Sequence, residues 1–250
     1  MGDNMKNAII LASFGAIDEK VREKTINALA KEISLEFPNF EVFQAFTSNF
    51  IIKKLSERGI KIFPVEEQIF YLRGEYEKII LVPTHLTAGE EFDNKIKIYE
   101  SDNVKVLSPI FSCIDENLLE VILKNYPIDD EDLILIGHGS PHRHNPVYEN
   151  FQRLIDEHYK SIHVGVIEEN DTPNFDDVIK RLKNREVKKI LLAPLLFNGG
   201  SHVEKDIKIS WRERLESLGY EVKVFAEGLG AFKSFRELYL QKIFQSITKL

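Results

Sequence analysis

The chain of 250 residues has one cysteine, no excess of basic residues and no long hydrophobic segment. The single cysteine, Cys113, excludes an internal disulfide bond, a zinc site built from cysteines and an iron–sulfur cluster. Asp and Glu outnumber Lys and Arg by 40 to 33, and the net charge of −7 argues against general nucleic-acid binding. No apolar run approaches the roughly 20 residues that span a bilayer, and the N-terminus lacks the apolar core of a signal peptide. We therefore expect a cytoplasmic protein with neither a membrane nor a nucleic-acid partner.

Sequence motifs for nucleotide binding and for serine hydrolases are also missing. The phosphate-binding pattern G-x-x-x-x-G-K-[ST] does not occur. Residues 137–142 begin like the dinucleotide-binding pattern G-x-G-x-x-G, but they end in His142, and no acidic ribose-binding residue is evident. Ser140 does not lie in the G-x-S-x-G elbow of hydrolases. The sequence therefore indicates neither a dinucleotide site nor a serine hydrolase.

Short apolar segments typical of buried strands alternate with longer amphipathic segments typical of helices. We predict strands at Ala8–Phe14, Val42–Phe46, Lys78–Pro83, Val104–Leu107, Leu133–Gly137, Ile162–Ile167, Lys189–Pro194 and Val222–Phe225. Strands that alternate with helices pair in parallel, and strands that are apolar throughout are buried on both faces. The order therefore predicts an α/β fold of parallel sheets flanked by helices.

The second half of the chain repeats the first. Lys78–Ile98 aligns without a gap on Lys189–Ile209 at an offset of 111, and 8 of the 21 aligned residues are identical. Ile9–Gly15 aligns similarly on Leu133–Gly139. Chance patterning of apolar strands does not explain this many identities, so we predict two lobes of similar topology.

The two predicted lobes comprise residues 1–127 and 128–250. The terminal helix, predicted at Phe232–Thr248, could pack back on the first lobe. A ligand site is expected in the cleft between the lobes, at the carboxyl ends of the strands.

Ionisable side chains distinguish the second lobe at these strand ends. His138 follows its first strand, His202 follows its third strand, and Glu168 and Glu169 follow the strand between them. One loop histidine alone is more often an ordinary polar residue, but two at matched strand ends indicate function. Imidazoles and a carboxylate can hold a divalent metal, and imidazoles can take up protons near neutral pH. The residues alone do not decide between Glu168 and Glu169.

Short segments along almost the whole chain form an ordered set. They are Ser13-Phe14-Gly15, Pro83-Thr84-His85, Gly137-His138-Gly139, Val164–Glu168, Ala193–Leu196 followed by His202, Ser210-Trp211 and Gly228-Leu229-Gly230. This set resembles the anaerobic cobalt chelatases, the class II tetrapyrrole chelatases that act on sirohydrochlorin.

The resemblance implies a bilobal chelatase-like fold that inserts Co²⁺ into sirohydrochlorin in anaerobic cobalamin biosynthesis. It implies that His138 and His202 bind the metal and assist deprotonation of the pyrroles, with Glu168 as the third metal-associated group. Co²⁺ would be a substrate, and neither ATP nor an organic cofactor would be needed. Phe14, His85 and Arg143 are expected to contact the tetrapyrrole, Arg143 because an octacarboxylate needs a local basic rim. A homo-oligomer remains open.

One segment departs from the family pattern. Where the family usually has Gly-Asp-His-Ala, this chain has Gly200-Ser201-His202-Val203, and the loop before Ser210-Trp211 is shorter. Two alternatives therefore stay beside cobalt insertion. One is a ferrochelatase or nickel chelatase acting on a related tetrapyrrole, because such ligands separate Co²⁺, Ni²⁺ and Fe²⁺ poorly. The other is a non-catalytic carrier of metal or haem.

Overall fold

A computed structural model describes residues 6–140, 143–200 and 203–248 of the chain. Its contacts divide the chain into two units, one made of Met1–Ser112 with Lys233–Leu250 and the other of Cys113–Phe232. The lobes predicted from the sequence meet between residues 127 and 128, whereas the contacts of Tyr126 already belong to the second unit. Its hydroxyl donates a hydrogen bond to the Pro194 carbonyl at 3.0 Å. Its ring packs edge-on against Phe225, with centroids 5.5 Å apart.

Each unit contains one sheet within the described ranges. The strands of the first unit are β1 (Lys6–Ser13), β2 (Phe40–Phe46), β3 (Phe63–Pro64), β4 (Tyr76–Pro83) and β5 (Val104–Val106). The strands of the second unit are β6 (Asp132–Gly137), β7 (Ile162–Val166), β8 (Lys189–Pro194) and β9 (Glu221–Val224). Their positions confirm the strands predicted from the sequence. The short β3 was missed, because two residues ending in proline carry no recognisable strand pattern.

Helices connect and cover the strands. In the first unit they are α1 (Glu19–Arg22), α2 (Ala28–Glu36), α3 (Asn49–Ser56), α4 (Val65–Leu72), α5 (Glu90–Lys95) and the terminal α10 (Lys233–Ile247), with a π-helical stretch at Glu23–Asn27. In the second unit they are α6 (Glu116–Leu123), α7 (Val147–His158), α8 (Phe175–Lys183) and α9 (Arg212–Ser217), with a π-helical stretch at Val203–Trp211. Short 3₁₀ turns lie at Lys97–Tyr99, Ile110–Ser112 and Leu229–Ala231.

The two sheets share one strand order. The first sheet runs β3-β2-β1-β4-β5 and the second runs β7-β6-β8-β9, so the order β2-β1-β4-β5 recurs as β7-β6-β8-β9. Every pairing between neighbouring strands is parallel. The predicted α/β class, with two parallel sheets flanked by helices, is confirmed.

Backbone hydrogen bonds at the carboxyl ends of the strands recur at equivalent positions in the two sheets. The matched pairs are Thr47 N to Ser13 O (2.8 Å) with Ile167 N to Gly137 O (3.0 Å), and Thr84 N to Ala12 O (2.8 Å) with Leu195 N to Ile136 O (2.8 Å). These bonds fix which residues of the two units correspond. They pair Phe14 with His138 and Ser48 with Glu168.

Both faces of each central strand are buried. In β1, the even-numbered residues from Ala8 to Ala12 pack against α4 and α5, and the odd-numbered Ile9 and Leu11 are equally buried on the opposite face. In β6, Ile134 and Ile136 pack against α8 and the Val203–Trp211 segment. Burial on both faces explains why these strands are apolar throughout. It also leaves the strand ends as the places where polar side chains can gather.

No helix in the described part of the chain has both the length and the apolar character of a membrane span.

Candidate functional site

The loop after β6 places His138 next to the loop after β7. Gly139 turns the chain with φ +79°, in the left-handed region that favours glycine. A Cβ on Gly139 would lie 3.0 Å from the Val166 Cβ and 3.2 Å from the Glu168 Cβ. The Glu168 N–H donates to the His138 carbonyl at 3.1 Å. The two loops are therefore in direct contact through their main chains.

The side chains of His138 and Glu168 face each other. Nδ1 of His138 lies 3.9 Å from Oε1 of Glu168, and the two side chains are 40% and 29% exposed. The same Nδ1 lies 3.1 Å from the Gly139 carbonyl, a distance that fits donation of the Nδ1 proton. A neutral imidazole protonated on Nδ1 carries its lone pair on Nε2, the atom that can bind a metal or accept a proton.

The two adjacent glutamates have different surroundings. Glu168 lies beside His138, whereas the Glu169 side chain is 83% exposed and lies 3.5 Å from Nη1 of Arg214. The Arg214 guanidinium also stacks over the Phe175 ring, 3.7 Å from its centroid. Glu169 therefore belongs to a surface ion pair, and Glu168 is the carboxylate that the fold brings to the histidine.

A buried carboxylate, Asp171, joins the same two loops. Its Oδ2 accepts the Ser140 N–H at 2.9 Å, and its Oδ1 accepts the N–H groups of Asn145 at 3.1 Å and Thr172 at 2.9 Å. Nδ1 of His144 lies 2.9 Å from the same Oδ1. The Asp171 N–H donates to the Glu168 carbonyl at 3.1 Å. Main chain from both loops thus converges on one aspartate.

His144 belongs to this hydrogen-bonded group. Its hydrogen bond to Asp171, together with the nearby Glu149 carboxylate at 3.4 Å from Nε2, raises the pKa of the His144 imidazole above its ordinary value. Thr172 Oγ1 donates to Glu149 at 2.8 Å and closes the group. His144 therefore supports the loop and does not face the His138–Glu168 pair in any contact that the structure gives.

One predicted site residue lies outside the described residues. It is His202, expected as the second metal-binding imidazole. Among the residues that are described, no three His, Cys, Asp or Glu side chains form a group that could hold a metal. The predicted trio of His138, Glu168 and His202 therefore stays a prediction.

The predicted substrate-binding residues Phe14 and His85 lie at strand ends of the first unit. Phe14 follows β1 and is 40% exposed. His85 follows β4, and its Nε2 lies 3.5 Å from Thr47 Oγ1, at the end of β2. Arg143, the third such residue, is exposed in the loop after β6, and its backbone N–H donates to Ser140 Oγ at 3.2 Å. Their contacts with substrate stay predictions.

Trp211, which ends the π-helical stretch, is a packing residue. It is buried and lies against β7, where a Cβ on Gly165 would come within 2.4 Å of its ring. Its ring meets Phe175 edge-on, with centroids 5.0 Å apart. Gly165 is therefore required by the close approach of the indole, and Trp211 fixes the helical segment over the strand that leads to Glu168.

Sequence reasoning missed Asp171. The segment Asn170–Pro173 resembles an ordinary turn, and the partners of Asp171 in the preceding loop lie 26 to 31 positions earlier in the chain. The only available signal was an aspartate soon after Glu168, at a strand end already expected to carry function.

The chain is similar to several known proteins. The family model described as Cobalt chelatase (CbiK) matches residues 7–248. A sirohydrochlorin cobaltochelatase of Salmonella typhimurium is 24% identical, over 97% of this chain and 97% of that protein. Sirohydrochlorin cobaltochelatase CbiKC of Nitratidesulfovibrio vulgaris is also 24% identical, over 98% of this chain and 92% of that protein.

A solved structure shares the fold. The structure described as SirB from Bacillus subtilis with Fe³⁺ superposes with a TM-score of 0.64 at 17% identity, covering 97% of this chain and 96% of that chain. At this level of identity the likeness concerns the fold.

Proposed function

Because the chain belongs to the cobalt chelatase (CbiK) family and is therefore a metal chelatase, we propose that it inserts Co²⁺ into sirohydrochlorin without ATP. The observation that carries the proposal is the pairing of His138 with Glu168 at adjacent strand ends, 3.9 Å apart. The names of the full-length relatives support the choice of metal and macrocycle.

Insertion of a divalent metal into a free-base macrocycle releases two pyrrole protons, so the site needs a base as well as a metal ligand. We assign the base to His138, because a neutral imidazole nitrogen can take up a proton where a metal is delivered. A positioned base of this kind usually contributes about 10²–10⁴-fold in rate. The second imidazole in this proposal is His202, the residue that the sequence places after β8.

Glu168 has a different role in the proposal. Its carboxylate offsets the charge of a dication and favours the imidazolium that forms when His138 takes up a proton. Oxygen and nitrogen ligands suit Co²⁺, and they also suit Ni²⁺ and Fe²⁺, so these three metals must be compared directly. With Cys113 as the only cysteine, a thiolate cluster cannot form the site.

We further propose that Phe14, His85 and Arg143 contact the macrocycle. The exposed Phe14 ring offers an apolar face for a tetrapyrrole. The exposed Arg143 offers a cation to the carboxylates of sirohydrochlorin, in a chain with a net charge of −7. His85 offers an imidazole at the end of β4.

The test is an insertion assay with purified protein, sirohydrochlorin and Co²⁺, Ni²⁺ or Fe²⁺ in turn, without ATP, followed by the absorption change of the macrocycle. We expect repeated turnover that is fastest with Co²⁺. A stoichiometric shift without turnover would instead show a carrier, and faster turnover with Fe²⁺ or Ni²⁺ would change the assigned metal. A requirement for ATP would contradict the proposed reaction.

A further inference from the structure

We infer that Asp171 is a positioning residue that holds the loops of His138 and Glu168 in the arrangement needed for metal insertion. The inference rests on the proposed function, because it concerns the same pair of side chains. Nothing in the chemistry of insertion requires Asp171 itself to touch metal or macrocycle. Its effect would pass entirely through the main chain that it fixes.

The burial of Asp171 shows how strongly it is held. The side chain is completely buried, and a buried carboxylate is costly unless hydrogen bonds satisfy it. Three backbone N–H groups and the His144 imidazole supply those bonds, at 2.9 to 3.1 Å. The carboxylate is therefore fixed by its donors, and the donors are fixed by it.

The donors come from the segments that carry the functional pair. Ser140 lies two residues after His138, and its N–H bonds to Oδ2 of Asp171. On the other side, the Asp171 N–H bonds to the carbonyl of Glu168. Asp171 is thus hydrogen-bonded to the main chain of both loops, at Ser140, two residues from His138, and at Glu168 itself.

The substitution Asp171→Asn changes one atom in a predictable way. The amide oxygen can still accept from Asn145 and Thr172, but the amide nitrogen would face the Ser140 N–H, donor against donor. The bond from the Ser140 N–H, in the His138 loop, is then lost, whereas the bonds from Asn145 and Thr172 remain. Changes to residues that orient metal ligands typically cost about 10–100-fold in metal affinity or activity, and we expect a loss in that range.

The same unit offers a matched control in Asp156. This aspartate of α7 pairs with Arg181 of α8 and also accepts from Gln152 Nε2 at 3.0 Å. The same Gln152 nitrogen donates to the carbonyl of Ile162, where β7 begins, so this aspartate lies by the amino end of the strand. Asp156→Asn should lower the stability of the unit without changing the loops after β6 and β7. His144→Ala removes one donor to Asp171 from a half-exposed side chain, and it tests the same group with little risk to folding.

The experiment measures Co²⁺ affinity, with Co²⁺ alone as the probe, and the kcat and KM for insertion in the wild type and the three variants. Thermal unfolding first establishes that each variant is folded at the assay temperature. We expect Co²⁺ affinity and kcat to fall about 10–100-fold in Asp171→Asn, to fall less in His144→Ala, and to match the wild type in Asp156→Asn. A merely structural role would lower the stability of Asp171→Asn and Asp156→Asn alike and leave both affinities unchanged.

A folded Asp171→Asn variant with wild-type affinity and kcat would overturn the inference. If that variant does not fold, His144→Ala decides: reduced affinity supports the inference, and wild-type affinity overturns it. A wild type that neither binds Co²⁺ nor turns over would refute the proposed function instead. Hydrogen exchange in peptides spanning 134–140 and 166–172 then decides the positioning role, which requires faster exchange in Asp171→Asn than in Asp156→Asn.

Discussion

The two units of this protein share a strand order but differ in the residues at their strand ends. Strand order and the hydrogen bonds between strand ends recur, so His138 occupies the position of Phe14 and Glu168 that of Ser48. Phe14 is an exposed apolar ring, and Ser48 caps α3 by accepting the Ile51 N–H. The two sheets thus present side chains at equivalent strand ends. Only the second unit has an imidazole and a carboxylate in these two positions.

The largest expected difference between the units comes from truncating the two equivalent residues, His138 and Phe14. We expect His138→Ala to lower the rate of cobalt insertion by about 10²–10⁴-fold, because it removes the proposed base and metal ligand. Phe14→Ala removes only an apolar contact, so we expect a loss within about tenfold, or about 1.4 kcal/mol. Steady-state kinetics of both purified variants measure the difference. Equal losses, or near-normal activity in His138→Ala, would refute the assignment.

The neighbouring glutamates test the second position of the comparison. We expect Glu168→Gln to lower the rate at least about tenfold, because its carboxylate faces His138. Glu169→Gln should leave the rate close to that of the wild type, since an exposed pair such as Glu169–Arg214 contributes less than about 1 kcal/mol. The same kinetic assay ranks the two variants. The opposite ranking would move the proposed ligand to Glu169.

Equivalent glycines in the two units provide a third test. Gly15 and Gly139 follow Phe14 and His138, and both have positive φ, +98° and +79°. Alanine at either position should cost about 1–3 kcal/mol of stability. In Gly139→Ala the new Cβ would also press on the Glu168 Cβ, whereas in Gly15→Ala it would meet the Phe46 ring. We therefore expect both variants to have lower melting temperatures, and Gly15→Ala to lose more because its Cβ would lie 2.5 Å from the buried Phe46 ring. Weaker Co²⁺ affinity is expected only in Gly139→Ala. Unchanged Co²⁺ affinity in a folded Gly139→Ala would contradict this difference.

The smallest expected effect is on stability and comes from His163, near the amino end of β7. His163 of β7 is buried, and the strand registers place it where β2 has Phe43. Burial lowers the pKa of the His163 imidazole, despite a hydrogen bond to Asp132 at 2.9 Å, and the nearby Arg181 and Arg185 act in the same direction as burial. Arg181 Nε also donates to Nδ1 of His163 at 3.1 Å, which requires the neutral ring.

The free energy of unfolding should therefore depend on pH through His163, whereas Phe43 at the equivalent position of the first unit cannot titrate. As the pH falls below about 6.5, the unfolded chain binds a proton at His163 before the folded chain does, so stability should fall. The slope from this group is at most about 1.4 kcal/mol for each pH unit. His163→Gln keeps a donor and an acceptor, and urea unfolding at several pH values should show a flatter dependence than in the wild type. His144, which has a raised pKa, makes an opposite contribution that is present in both the wild type and the variant. Subtracting one stability curve from the other therefore cancels it. Parallel curves would refute the role of His163.

The sequence alone predicted the strands, because strands buried on both faces must be apolar throughout. From the residues shared by Lys78–Ile98 and Lys189–Ile209 it also predicted two parts of similar topology, and the strand order does recur in the two sheets. It did not predict α5 (Glu90–Lys95), an acidic helix in which only Phe92 is buried, because no apolar stripe repeats along it. Local patterns thus reveal elements that contribute repeatedly to the core and miss those that touch it once.

Part of the candidate site was predicted from the parallel order of the strands. Parallel strands bring their carboxyl ends to one edge, so the sequence could place His138 near Glu168. The choice between Glu168 and Glu169 depends on the ion pair with Arg214, which is distant in the sequence. Asp171 was missed because its contacts depend on the folded path of two loops.

The most direct test of metal binding by His138 and Glu168 is to locate the metal. Crystals of the protein grown with Co²⁺ should show anomalous scattering at the cobalt edge. We expect a peak within bonding distance, about 2.0–2.2 Å, of a His138 nitrogen and a Glu168 oxygen. A peak at the strand ends of the first unit, beside Phe14 or His85, or bound by Glu169 instead of Glu168, would contradict this assignment.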